Sequence, residues 1–433
     1  MTLLSGFSET DITPLEYPIR TYMNTVETFL DPLFAHAAVF QNNETTIILI
    51  SLDIVIIEWQ YVEIIRQKIS EKHNIPQSNI TVCTTHNHAC PAVIERGTFK
   101  KEEAYIEFMI NQSVIAVDQA ITSLTPTELG TATGFESRIS FNRRYIKKNG
   151  TMVSQPTLNT LTNDILCNEG VVDPEIGVLA TRNTEGKITG VLVNFACHAC
   201  HLLGKLSSGF PGVLYERIKA AFGPDCTCLF LNGPCGNIIH NNYSDPTFED
   251  TKERTGNILA DSVEKIIESM EFKNDDCLSM KESIIPIKFE DISVAENNIN
   301  KLEEHNVFAS LIRLGWYNWS LEQLRNLHSQ RDHENVHIQV FRIGDTAFGT
   351  IPAEYFSHYA LRIKEDSPIN KTFVISLANG WLGYIPNKEA FERKGGHEST
   401  RAIWCKMEKN AGNIMADEIL NHLKANFLEG KLF

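Results

Sequence analysis

The chain has 433 residues, 42% hydrophobic and 21% charged, with no low-complexity tract, which excludes a disordered chain and guarantees a sizeable core. Its formal net charge of −15 argues against nucleic-acid binding or stable membrane association, both of which need basic stripes. Ten cysteines are too sparse for a disulfide framework, and Met1 to Gly6 lacks the basic and apolar stretches of a signal peptide, so a cytoplasmic protein with free thiols is expected.

Strand and helix signals alternate along the chain. Residues 33–40 and 45–53 read as a strand pair joined by the turn Gln41-Asn42-Asn43-Glu44. Residues 59–72 have helical periodicity through Val62, Ile65 and Ile69, and 80–84 form a short strand ending at Thr85-His86-Asn87-His88. A long amphipathic helix follows at 102–123, with Ile106, Met109, Ile110, Val114, Val117 and Ile121 on one side. Residues 127–131, 177–181 and 188–196 are strands, the last running into Cys197-His198-Ala199-Cys200-His201. Pro211 and Gly212 open a helix to 221, 228–231 form a strand, and 249–270 are helical. From 271 to 334 the charged composition reads as a mostly helical insertion or subdomain. Residues 338–343 and 347–351 form a hairpin around Gly344-Asp345, followed by a helix at 353–364, a strand at 373–377 and a terminal helix at 409–427. The pattern predicts an α/β layered sandwich with a mixed central β-sheet flanked by helices, built as one domain over 1–433.

Four of the 14 histidines sit where strands run out into loops, the position at which open α/β sheets place their chemistry. His86 and His88, two apart, share a face of an extended segment, so one can ligate a metal while the other meets the reacting group; a polar loop is the plainer reading. The second cluster matches the haem-attachment pattern C-x-x-C-H, but haem attachment requires export and nothing in the sequence supports it. A cysteine-rich zinc site with Cys226 and Cys228 fits no common spacing, which leaves His198 as the expected ligand and His201 packed nearby. Cys235, in the loop Asn232-Gly233-Pro234-Cys235-Gly236-Asn237, offers a thiol nucleophile with His240 as base. Glu354 reads locally as a first-turn glutamate and Tyr384 as a half-buried aromatic.

The order of short motifs resembles the catalytic domain of the neutral/alkaline ceramidase family. The segments are Thr85-His86-Asn87-His88, Asn194-Phe195-Ala196-Cys197-His198, Phe210-Pro211-Gly212, Pro352-Ala353-Glu354 and Gly383-Tyr384-Ile385-Pro386-Asn387-Lys388-Glu389. Asp11-Ile12-Thr13-Pro14, Leu52-Asp53 and Glu398-Ser399-Thr400 extend it over nearly the whole chain. The resemblance implies one zinc per chain held by His86, His198, Glu354 and Tyr384, with His88 beside the activated water. Arg143 matches an arginine lining the family's pocket, where it binds a carboxylate or polar group on the substrate; a surface salt bridge is its other reading. Asn232, Gly236 and Asn237 fall in a segment expected to border the substrate.

Where family members carry a serine in that segment, Ile239 stands here, and Asn237 replaces an aspartate. A second family tyrosine is absent, and Gly395-Gly396-His397 occupies its place, making His397 the substitute donor. The expectation is therefore a zinc hydrolase of a linear amide, an N-acyl bond, acting on a small soluble molecule. Ester or lactone cleavage at the same metal, and a non-catalytic metal-containing binding protein, are the alternatives.

Overall fold

In the computed structural model, which describes residues 2–97, 99–156, 164–303, 310–393 and 395–428, two mixed β-sheets stack face to face with helices on their outer sides. The larger sheet runs in the order Thr227–Asn232, Ile188–Phe195, Glu175–Asn183, Thr125–Phe135, Leu4–Asp11, Phe34–Gln41, Thr46–Leu52, Ile80–Thr84. The smaller runs Leu278–Lys288, His333–Ile343, Thr346–Ile351, Lys371–Ser376. Alternation along each strand divides the residues between layers. Ala38, Phe40, Ile47 and Leu49 face Phe341, Phe348, Phe373 and Ile375 of the second sheet, while Ala37, Val39, Ile48 and Ile50 face the helices Trp59–His73 and Glu103–Thr122. Burial on both faces is why these strands are continuously apolar. Helices Gly209–Phe222 and Lys252–Glu268 cover the other half of the large sheet, and Ser357–Asp366 with Ala411–Leu428 cover the small one. The layered α/β expectation is met, with two stacked sheets where one central sheet was expected.

Two features fold the large sheet around the candidate site. Its halves join through the short pairing Leu4↔Pro126 and Ser5↔Thr125. The Thr227–Asn232 strand then comes back against Thr46–Leu52, where the Ser51 hydroxyl donates to the Phe230 carbonyl at 2.7 Å. Beyond the ends of these strands Asn232 Nδ2 donates to the Thr85 carbonyl at 3.1 Å, tying the two histidine-bearing loops to one bracket.

Several local expectations need correction. Leu278–Lys288, inside the stretch expected to be mostly helical, is an 11-residue edge strand with Pro286 in it. Edge strands tolerate proline, and its half-exposed side chains give no clean alternation. The rest of that stretch does contain helices, Ile292–Glu303 and Ser310–Gln330; residues 304–309 lie outside the described residues. The helix expected from 353 begins at Ser357, because Glu354–Tyr355 pairs as a short parallel strand with Tyr384–Ile385. Leu4–Asp11, unread in the sequence, is a central strand of the large sheet.

Candidate metal centre

The side chains of the centre gather beyond the ends of the two sheets' strands, with Glu354 and Tyr384 on a short parallel pair of their own. His86 follows Ile80–Thr84, His198 follows Ile188–Phe195, and Cys235 follows Thr227–Asn232. Glu354 follows Thr346–Ile351, and Trp381 and Tyr384 follow Lys371–Ser376. The pairs Thr46–Leu52/Ile80–Thr84, Ile188–Phe195/Thr227–Asn232 and Thr346–Ile351/Lys371–Ser376 are parallel, so each delivers its loops at one end. His86 has φ 61°, a left-handed conformation that costs a residue with a Cβ of order 1–2 kcal/mol and marks a backbone held for its side chain.

Three imidazoles converge. Nε2 of His86 lies 2.9 Å from Nε2 of His198 and 3.2 Å from Nε2 of His88. Oε2 of Glu354 stands 3.4 Å from the first and 3.6 Å from the second. Donors held by zinc at 2.0–2.1 Å in a tetrahedron are about 3.3 Å apart, so these separations fit one ion. The other ring nitrogens of His86 and His198 bond the carbonyls of Val55 and Cys235, at 2.7 and 3.1 Å, as ring nitrogens opposite a metal do. His88 has no such anchor among the described residues and is the most accessible of the three.

Glu354 is 4% exposed, and its Oε2 is buried with no hydrogen-bond donor. An ionised oxygen left bare in a protein interior is costly unless a cation meets it. Its Oε1 accepts from Trp381 Nε1 at 3.2 Å, and the Tyr384 hydroxyl lies close enough to favour the ionised carboxylate. Burial pushes the Glu354 carboxyl up, but His86, Tyr384 and Arg143 outweigh it and hold it at about 2. Burial, then His86, pushes His198 well below the ordinary imidazole range. Burial and His86 do the same to His88, with Arg143 and Arg96 adding to the effect and Glu354 opposing it. Neutral His198 and His88 rings beside an ionised carboxylate suit metal ligation. By donor type, spacing and charge, the residues fit zinc.

Arg143 is 1% exposed, which overturns the surface salt-bridge reading. Its Nη2 donates to the Gly236 carbonyl at 2.7 Å, its Nε lies 2.9 Å from Glu398 Oε1, and its guanidinium lies 5.5 Å from the Tyr384 ring centre. His397 stands edge-on to Tyr384, with ring centres 5.4 Å apart. Asn232 and Asn237 bind the scaffold. Asn232 holds Thr85 and the Cys197 N–H, while Asn237 bonds the Ser357 N–H at 2.9 Å and the Ser357 hydroxyl. Gly236 lets backbone meet backbone, since a Cβ there would lie 2.3 Å from the Glu354 carbonyl oxygen.

Three neighbours went unassigned to the metal centre in the sequence. Trp381 orients Glu354. Arg96 stacks on Trp316 with its guanidinium 4.0 Å from the ring centre, and among the described residues it has no carboxylate at ion-pair distance. Cys235 contributes a thiol that groups with His86 and His198 as a possible donor set. The sequence offered Cys235 only as an alternative thiol nucleophile in a loop after a strand, not as part of a metal centre.

The fold has solved counterparts. The neutral ceramidase of Pseudomonas aeruginosa matches with a TM-score of 0.72 at 14% identity, over 99% of this chain and 75% of that one. A structure described as ceramidase complexed with C2 matches with a TM-score of 0.73 at 14% identity and the same coverage. No family model and no curated relative matches the sequence. The chain shares the neutral-ceramidase fold over nearly its full length, as the order of its motifs implied.

Proposed function

We propose that the protein is a zinc-dependent hydrolase that cleaves a linear amide, the N-acyl bond of a small soluble substrate. The convergence of His86, His198 and the bare Glu354 oxygen at the strand ends of a ceramidase-type fold carries this reading.

His86, His198 and Glu354 would hold the ion, with Tyr384 as the fourth group on the Glu354 side. Zinc in such a site supplies Lewis acidity, bringing the pKa of water to about 7 and polarising a carbonyl. His88, neutral and adjacent, takes the proton from water and returns it to the departing amine nitrogen. Arg143, fixed by Glu398 and Gly236, stabilises negative charge developing on the carbonyl oxygen. His397 lies beside Tyr384 as a further donor. Arg96 favours a polar or anionic group on the substrate, which separates this pocket from one made for a wholly apolar tail.

The test is turnover of a panel of N-acyl amides and matched esters by purified protein. Hydrolysis removed by a chelator and restored by zinc supports the reading. Absence of turnover across the panel with zinc bound would leave a binding protein in its place.

A further inference from the structure

A second cluster of donor atoms lies outside the centre described above. His201 sits in the loop after the Ile188–Phe195 strand, His240 directly follows the Ile238–Ile239 strand, and Asp250 immediately precedes Thr251, the N-cap of helix Lys252–Glu268. Oδ1 of Asp250 is 2.5 Å from Nδ1 of His240 and 3.4 Å from Nε2 of His201. The two rings stack at 3.5 Å with an 18° tilt, so both nitrogens flank the same carboxylate oxygen. On the far side of His240, Nε2 meets the Cys200 thiol at 3.3 Å.

We propose that His201, His240 and Asp250 form a second site for a divalent cation of the zinc class, separate from the His86–His198–Glu354 centre. Two imidazoles and one carboxylate are a common ligand set for such ions, and it leaves a position for water. The His side chains are 3% and 5% exposed and Asp250 27%, so the cluster is buried on the protein side and reachable from solvent at Asp250. His201 Nε2 faces Asp250 Oδ1 and the Thr255 hydroxyl at 3.3 Å, while its Nδ1 is buried with no hydrogen-bond partner. Cys200 on Nε2 of His240 fixes the ring from behind, as outer partners of metal-bound histidines do. Opening the His240–Asp250 contact by under about 1 Å reaches the donor spacing of tetrahedral zinc.

The three residues come from separate stretches of chain. An ion here would cross-link the loop that presents His198 to the start of helix Lys252–Glu268, a structural role distinct from the proposed catalysis.

The experiment is zinc content by mass spectrometry on the full chain after equilibration with zinc at neutral pH, with circular dichroism to verify folding. Wild type should hold two equivalents. His240→Gln and Asp250→Asn should each hold one, and the His86→Ala/Glu354→Gln double variant should also hold one. Adding His240→Gln to the double variant should bring the content below about 0.1 equivalent. In the double variant, zinc should raise the melting temperature, and His240→Gln should remove that rise. The proposal is overturned if the His86→Ala/Glu354→Gln double variant holds no zinc, or if His240→Gln and Asp250→Asn leave the wild-type content unchanged. Failure of the first centre would instead appear as unchanged zinc content in the double variant.

Discussion

His86 Nε2 and Glu354 Oε2 stand 3.4 Å apart, yet the carboxylate oxygen takes no hydrogen bond from the ring or from any other donor among the described residues. That relationship suits two groups that share a cation between them. Glu354→Gln should therefore weaken zinc binding by at least about 100-fold and lose turnover with it. His88→Ala should separate the two effects, keeping zinc while kcat falls about 10²–10⁴-fold. Metal content and kcat on the same preparations check both. If His88→Ala releases the metal, His88 is a ligand and the proton-transfer role assigned to it is lost.

The sequence was legible where one physical demand dominated. His86 and His198 follow strands apolar enough to be read directly, and the rule that loops past strand ends carry chemistry singled them out. Glu354 and Tyr384 carry no such local signal. They meet through a parallel pairing two residues long, Glu354↔Tyr384 and Tyr355↔Ile385, that no periodicity reveals, and only the family resemblance joined them. The Leu4–Asp11 strand was hidden because its buried positions include Ser5, Ser8 and Thr10. Thr10 Oγ1 donates to the Gln112 carbonyl at 2.9 Å and the Ser8 hydroxyl to that of Ala116, so helix carbonyls make polar residues acceptable on a core face.

Cys235 lies inside the donor group, but its thiol is fully buried, and burial, then Glu354, pushes it well above the ordinary thiol range. A thiol kept protonated in that way is a poor nucleophile. Cys235→Ala should retain zinc and keep kcat within about threefold of wild type, measured at neutral pH. Loss of activity with metal retained would restore the thiol mechanism, and loss of metal would make Cys235 a ligand.

Behind Arg143 sits Glu398, fully buried between two arginines. Oε1 lies 2.9 Å from Arg143 Nε, Oε2 accepts from Arg144 Nη1 at 2.9 Å, and Ser154 also donates to it. Burial would raise this carboxyl, but His397, Arg143 and Arg144 hold it at about 2. Glu398→Gln leaves the buried Arg143 guanidinium without its counter-charge, while Arg144 keeps Glu169, which should cost about 3–5 kcal/mol in denaturant unfolding with an unchanged m-value. Because Glu398 also fixes Arg143, kcat should fall while zinc content holds. A variant as stable as wild type would show that the arginines find compensation elsewhere.

Glu9 provides a pH signature remote from the metal. It pairs across the sheet with His36, whose Nε2 is 3.4 Å from Oε2, and Lys219 reaches Oε1 from helix Gly209–Phe222. Burial pushes the carboxyl up, but His36 and Lys219 prevail and lower it from 4.5 to about 2. Between those values the unfolded chain binds the extra proton and the folded chain does not. The stabilisation is therefore complete above about pH 4.5 and drains away as pH falls toward 2. Urea unfolding of wild type and Glu9→Gln should show a stability gap that is constant from about pH 7 to 5 and closes on further acidification. A gap that stays level or widens below about pH 4.5 would mean that the carboxylate draws no net stabilisation from His36 and Lys219.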